Sequence, residues 1–427
     1  MANISIVGLG PVGLASGVAF ATQGHRVAAM DIDVGRSTQV ARGESPFYEK
    51  GLEAALKKVL RQGRFTVADS MEDALRASTI VFVCVGTPSR SDGTMDDGPI
   101  REATKSIAHA WVDQKRRTVV VKSTVLPGTT ESVLRPILKA AGWPFRLAVN
   151  PEFLREGRAL DGALRPDRIV LGVDETTTAR TLRTLYHSAK CPVLVTNIQT
   201  AETIKYATNA FLATKVAFAN ELANLCQALG VSYDEVHRGL SLDPRINPRF
   251  LVPGVGFGGS CFPKDLRALM AAAHVHGAGA PLLSAVLEQN DAQYMHAVDL
   301  LQQELGDLKD KRIAVLGLAF KGETDDVRES RAVPIAQALL AKGAAVVGYD
   351  PVAGPGFSSR VPEVTIANTI REALTGAHGV IVQADWPEFS HLTAKDFTST
   401  MAAPVVVDGR RILDIKEMKG VRFRRIG

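Results

Sequence analysis

Residues 3–33, NISIVGLGPVGLASGVAFATQGHRVAAMDID, decide the fold. Asn3–Val7 is a short apolar run, a glycine-rich loop follows, Leu14–Gln23 has the character of a helix, and Arg26–Met30 is apolar again. Strand, loop, helix and strand in that order make a βαβ unit. In such a unit Gly8 permits the tight turn and Gly10 lets the backbone approach a pyrophosphate. Gly13 lets helix and strand pack closely, and Val12 lies between them on the loop. Asp31 closes the second strand, where a carboxylate binds an adenosine ribose and repels a 2′-phosphate. Glycines alone are a weak signal, but with these flanks the loop reads as a dinucleotide site. Asp31 points to NAD, while Arg36 nearby is the residue that leaves NADP open.

Working outward, apolar runs at Thr79–Val85, Thr118–Val121 and Phe145–Val149 are separated by helical stretches and continue a mostly parallel sheet. Ala201–Leu229 has no proline or internal glycine and reads as one long helix of a helical middle region. From Lys311 the pattern changes back: RIAVLGLAF runs into a loop, and strands are expected at Ala345–Tyr349, Gly379–Gln383 and Pro404–Val407. ISIVGLG with MDID is echoed by IAVLGLA with GYD, so the two ends look like related halves. The second copy is read as keeping Gly317 and lacking the other two glycines, which assigns the dinucleotide to the N-terminal domain. The expected fold class is α/β, with two Rossmann-like parallel-sheet domains joined by a central helical domain. Boundaries are expected at 1–199, 200–305 and 306–427.

Length and composition agree with this division. A chain of 427 residues, 46% apolar and 22% charged, is too long for one small core and reads as a soluble globular protein of two or three domains. A net charge of +5 suits an anionic small molecule as well as nucleic acid. No Lys/Arg run precedes the short tail Lys416–Arg425, so no nucleic-acid partner is expected. Cys84, Cys191, Cys226 and Cys261 show neither CxxC nor CxxH spacing, so no metal is expected and the thiols read as reduced and cytoplasmic. The apolar N-terminus lacks a basic leader, and no uninterrupted apolar stretch of ~18 residues suggests a membrane span.

The chemistry lies in three further segments. In GFGGSCFPKD, Cys261 follows Gly258 and Gly259 and precedes Pro263, a residue favoured in the first turn of a helix. The positive end of a helix dipole favours an anionic sulfur there. Asp265 lies one turn later. Lys205 and Asn209 in ETIKYATNAF are also one helical turn apart, as are Glu152 and Glu156 in NPEFLREG. Singly, such pairs are ordinarily solvated helix faces, and a lone cysteine is ordinarily a buried structural one, the reading given to Cys84, Cys191 and Cys226. Together, a nicotinamide site and a poised thiol suggest oxidation of an alcohol past the aldehyde to the acid.

The motifs GLGPVGLASGVAFATQGH, CVGTP, KSTVLPGTT, NPEFLREG, ETIKYATNAFLATKVAFANELANLC, PGVGFGGSCFPKD, GLAFKGETDDVRES and DGRRIL follow the order found in the UDP-glucose/GDP-mannose dehydrogenases, and the chain resembles that family over its whole length. The resemblance implies a four-electron oxidation of a nucleotide sugar at C6, with two NAD and one water, through thiohemiacetal and thioester intermediates on Cys261. It makes Lys205 and Asn209 the oxyanion-stabilising groups and Asp265 a carboxylate that helps activate water or orient Lys205. Thr124 and Glu152 place a catalytic water. Asp31, Arg36, Thr87, Thr124, Glu156 and Arg328 are implied on the cofactor side. For the sugar nucleotide it implies Phe153, Leu154, Phe257 and Gly258, with cations Lys321 and Arg411 from the C-terminal domain. Arg245 and Asn247 are further substrate positions, Arg245 as a contribution from a partner subunit. The family also implies a homodimer through the central helix.

Two departures stand out. Asn247 in RIN occupies a position where UDP-glucose enzymes usually have Gly, and Arg331 in RESRA replaces a small residue or proline. The sequence around the thiol favours UDP-glucose, giving UDP-glucuronate for polysaccharide biosynthesis. CVGTPSRSDG, STVLPGTT and Asn247 lean towards GDP-mannose, which stays open, as does another UDP-sugar. A two-electron hydroxyacid dehydrogenase would need neither Cys261 nor the second α/β domain, and a non-catalytic nucleotide-sugar binder would be expected to lose Cys261 or Lys205.

Overall fold

Every residue except Ala77 and Gln114 is described by the structure, a computed structural model, and its backbone groups into two units. One comprises Met1–Thr208 with Arg267–Ala272, the other Asn209–Leu266 with Ala273–Gly427.

The first unit is built on strands β1 (Asn3–Val7), β2 (Arg26–Met30), β3 (Phe65–Val67), β4 (Ile80–Val83), β5 (Arg117–Val121), β6 (Phe145–Val149), β7 (Ile169–Val173) and β8 (Val193–Thr196). They form one sheet in the order β3-β2-β1-β4-β5-β6-β7-β8. Only the β6–β7 pair is antiparallel. β1, β4 and β5 are buried almost throughout, as strands covered by helices on both faces must be. Strand order reverses between β1 and β4, and the crevice beyond their carboxyl ends is where ligands of open α/β sheets bind. The helix Pro11–Thr22 starts at that point, with its proline at the first helical position. It lies close to the sheet because Gly17 has no side chain: a Cβ there would come within 2.9 Å of the Phe65 ring.

The second unit repeats the plan with β9 (Arg312–Leu316), β10 (Ala345–Tyr349), β11 (Thr365–Ile366), β12 (Gly379–Val382), β13 (Val405–Asp408) and β14 (Arg422–Arg425), in the order β11-β10-β9-β12-β13-β14. Every pairing is parallel. The end of the basic tail is therefore β14, an edge strand. Arg422 and Arg424 bond to Glu304, and Arg425 bonds to the Leu413 carbonyl, so these charges serve the fold.

The long helix runs Ile198–Leu229, three residues earlier than the sequence suggests. Asn197 begins it by accepting from the Thr200 amide at 2.7 Å. It ends at Gly230, whose φ of 67° lets the Val231 amide return to the Cys226 carbonyl at 2.8 Å. Among the described residues, no helix is long and apolar enough to cross a membrane.

Candidate active site

At the fingerprint loop Gly8 has φ 101°, and a Cβ on Gly13 would lie 1.9 Å from the Gly8 carbonyl oxygen. A Cβ on Gly10 would meet nothing within 4 Å. The first and third glycines are thus required by the chain itself, whereas the second leaves open space where a phosphate can approach, which is the fit a dinucleotide needs. Gly13→Ala is expected to lower the melting temperature, while Gly10→Ala should leave it unchanged and raise the KM for NAD about tenfold or more. Thermal denaturation beside NAD saturation curves checks both.

Asp31 accepts from the Leu9 amide at 2.6 Å, the Asp33 amide at 2.9 Å and Arg36 Nη1 at 3.1 Å. Arg36 also lies 3.6 Å from Asp33, so two carboxylates neutralise the cation that a 2′-phosphate would need. The echo in the second unit differs. Gly322 does stand where Gly13 stands, but Asp350 is spent on the amides of Leu318, Ala319, Val352 and Ala353 and on the Trp386 indole. Five donors exhaust a carboxylate. The helix after that loop begins only at Ala332, so no helix N-terminus faces a pyrophosphate. Thr87 Oγ1 donates to the Thr124 carbonyl at 2.7 Å, joining the loops after β4 and β5.

The first unit also holds a buried charged cluster. Lys205 donates to Glu152 Oε1 at 2.7 Å, with the two side chains only 4% and 8% exposed. The other Glu152 oxygen accepts from the Leu154 amide at 2.6 Å. Burial pushes the Glu152 carboxyl up, but Lys205, the Leu154 amide and Lys122 together outweigh it and hold the group below its usual value. The Phe153 ring carries the Arg168 guanidinium 3.8 Å from its centroid and has Lys205 Nζ at 5.7 Å. Leu154 and Glu156 follow on the same loop, both half-buried. Burial, reinforced by Glu152, pushes the nearby Cys84 thiol up to about 12, which makes it inert at neutral pH.

In the second unit the Cys261 carbonyl takes the Asp265 amide at 2.8 Å, so Cys261 stands at the N-terminus of the helix Phe262–Val275. Its thiol is half-buried, with Ser260 Oγ 3.6 Å away. Asn209, one turn after Lys205 on the long helix, donates to Asp265 Oδ2 at 2.6 Å, and Lys264 takes the other oxygen at 2.5 Å. The sequence reading missed Lys264, although it adjoins Asp265 in FPKD.

The loop before the thiol is fixed at almost every residue. Phe257 exchanges both backbone bonds with the Asn290 side chain, at 2.6 and 3.1 Å. Arg331 Nε donates to the same Phe257 carbonyl at 2.9 Å, and Arg410 to the preceding Gly256 carbonyl at 3.4 Å. A Cβ on Gly258 would lie 2.1 Å from the Glu329 carbonyl, and the Gly259 amide bonds to Arg328 O at 3.1 Å. Arg331 is thus a tie on this loop, 6% exposed and balanced by Asp291 at 3.2 Å.

Other expected residues have different surroundings. Arg411 is tied to the Ile426 and Gly427 carbonyls and to Asp234, and its neighbour Arg410 reaches the Gly256 and Phe320 carbonyls instead. Lys321 bonds to the Gly322 carbonyl at 3.2 Å, and Arg328 grips Asp326 at 2.7 Å. Arg245 is 87% exposed and bonded to Asp243. Asn247 has φ 57°, the left-handed region that glycine favours and asparagine tolerates best among other residues. Asparagine at 247 therefore takes a backbone shape that glycine would also adopt. Among the described residues no cluster of His, Cys, Asp or Glu could hold a metal.

Comparison with known proteins adds three matches in sequence order. Residues 2–190 match the NAD binding domain of the UDP-glucose/GDP-mannose dehydrogenase family, 199–292 its central domain and 314–415 its UDP binding domain. A UDP-glucose 6-dehydrogenase of Haloferax volcanii is 41% identical, with 97% of this chain and 98% of that protein covered. One from Bacillus subtilis is 39% identical over 100% of this chain and 97% of its own. The solved UDP-glucose dehydrogenase of Pyrobaculum islandicum superposes with a TM-score of 0.92 at 39% identity, covering 100% of this chain and 97% of that one. The cofactor is NAD and the substrate a nucleotide sugar. Domain order, full-length relatives and the glycine geometry agree, and the chain belongs to the UDP-glucose/GDP-mannose dehydrogenase family.

Proposed function

We propose that this protein oxidises UDP-glucose to UDP-glucuronate, a four-electron reaction that converts the C6 alcohol to a carboxylate. The observation that carries the reading is Cys261 at a helix N-terminus, in a chain whose full-length relatives are UDP-glucose 6-dehydrogenases. Bound NAD supplies the hydride acceptor for each oxidation, with Gly8, Gly10, Val12, Gly13, Asp31 and Arg36 holding the adenosine and pyrophosphate. The protein's own groups do the rest. Cys261 sulfur adds to the C6 aldehyde and retains that carbon as a thiohemiacetal between oxidations. After the second oxidation water attacks the thioester, the C–S bond breaks and the thiol is restored. Lys205 and Asn209 donate to the oxygen that gains charge at each tetrahedral stage. Glu152 with Thr124 positions water and accepts its proton, and Asp265 anchors Asn209. Overall, one alcohol, two NAD and one water give one carboxylate, two NADH and three protons.

The reading extends to organisation. Residues 1–199 carry NAD, 200–305 pair two subunits, and 306–427 hold the sugar nucleotide. Phe211, Phe218, Leu225 and Leu229 lie on the long helix at spacings of seven, seven and four, each between 52% and 67% exposed. Such an apolar stripe suits a second copy of the chain. Four cysteines without CxxC or CxxH spacing suit the reducing cytoplasm.

Incubation with NAD and either UDP-glucose or GDP-mannose, counting NADH per sugar consumed, tests the reading. Two NADH per UDP-glucose is expected. The same count with GDP-mannose alone would move the substrate, and one NADH per sugar would remove the thiol relay.

A further inference from the structure

Lys122 is a buried ion that the proposed mechanism does not use. Lys122 is 7% exposed, in a cluster with Glu152 at 8%, Lys205 at 4% and Cys84 at 7%. The sheet register brings it there: Val83 pairs with Val121 and Val121 with Val149, so the next residues Cys84, Lys122 and Asn150 stand side by side at the carboxyl edge of β4, β5 and β6. Its ammonium donates to two neutral oxygens, Asn150 Oδ1 at 3.1 Å and the Asn150 carbonyl at 3.5 Å. Asn150 is itself held, accepting from Tyr186 OH at 2.5 Å and donating to the Val170 carbonyl at 2.9 Å. Burial pulls the Lys122 ammonium below its usual range, while Glu152, two residues beyond the Asn150 that holds it, favours the charged form. Burying an ammonium is expensive, and amide oxygens compensate it incompletely.

We propose that Lys122 is a positioning residue that keeps Glu152 anionic when Lys205 leaves it to serve the oxyanion at C6. This rests on the reading of Glu152 and Lys205 given above. A single ammonium cannot neutralise both the carboxylate and a substrate oxyanion. Once Lys205 turns to the substrate, a buried Glu152 with no other cation would take up a proton and cease to act as a base. Lys122 is held by Asn150 at the carboxyl edge of β5, beside Cys84 at the edge of β4, with the Tyr186 hydroxyl on the same Asn150 oxygen, and its charge is among those that hold the Glu152 carboxyl down. The division of labour is one fixed lysine for the base and one movable lysine for the substrate.

Infrared spectroscopy tests this without turnover, by following the protonated-carboxyl band that is lost in E152Q. In Lys205→Met, which imitates the departed lysine, no such band is expected at pH 7. In the double variant K205M/K122M the band should be present at pH 7, because neither lysine is left to oppose the effect of burial. K205M/K122R keeps the charge and should match K205M. If K205M/K122M fails to fold, K205M/N150D gives the ammonium a direct counter-ion and should also show the band. A band already present in K205M at pH 7 would overturn the proposal, as would its absence from both double variants. A second arm uses Lys122→Met alone: its kcat should fall at the acidic end and recover with rising pH, whereas a uniform loss at every pH would mark a merely structural lysine. Two NADH per sugar in the unaltered enzyme tests the functional reading separately, since the infrared result stands whichever sugar is used.

Discussion

Replacing Cys261 with alanine is expected to lower acid formation by at least about four orders of magnitude while leaving the melting temperature and NAD binding near native values. The separation follows from what this residue contributes to the fold. Its structural bond is made by the backbone carbonyl, which takes the Asp265 amide and opens the helix, and alanine supplies the same carbonyl. The side chain is half-buried, so its removal leaves no closed core cavity. Catalysis by the proposed mechanism, in contrast, loses the bond that retains the aldehyde carbon between the two oxidations. Product analysis of the variant distinguishes the possible failures. One NADH per sugar with free aldehyde would confine the thiol to the second oxidation, and an unchanged rate of acid formation would eliminate the covalent route. Cys84 offers the control: buried and with its thiol pushed up to about 12, it should resist alkylation under conditions that modify Cys261.

Legibility in the sequence followed the range of the interaction concerned. The first βαβ unit, the long helix and the thiol at a helix start were readable because periodicity, proline and glycine act within a few residues. β3 has three residues and β11 two, too short for any alternation to emerge. β8 is an edge strand with Leu194 and Val195 exposed, and β14 alternates exposed Arg422 and Arg424 with half-buried Phe423 and Arg425, so both resemble surface segments until a partner strand is present. Within the candidate site, Cys261, Asp265 and Asn209 were recognisable from local spacing and family resemblance. Lys122 was visible in KSTVLPGTT, but its significance depends on a register that sets it beside Cys84 and Asn150. Arg331 looked like an anomaly. Only a fold that brings it to the Phe257 carbonyl shows why a long cation is accommodated there.

Lys205→Met is expected to destabilise the protein by about 3 kcal/mol, the lower end for breaking a buried ion pair because the Lys122 charge still favours the anionic carboxylate. Turnover should fall on the order of 10²–10³-fold, the usual cost of one oxyanion donor. The informative comparison is Lys205→Met combined with Glu152→Leu. A well-packed apolar pair of similar volume commonly equals or exceeds a buried ion pair in stability. The double variant should therefore regain most of the lost stability and yet show no activity, because both the proposed oxyanion donor and the proposed base are gone. Acid titration adds a signed check. Glu152 titrates below its usual value in the folded protein, so its contribution to stability is complete above the ordinary carboxyl range and is lost as pH falls through the lower folded value. Urea midpoints measured downward from neutral pH should decline through that window in the native protein, and that component should be missing from the double variant. A double variant as unstable as Lys205→Met alone would mean that the pair is needed for folding. Restored stability without turnover would mean that the buried charges are retained for the chemistry at C6, at no benefit to the fold.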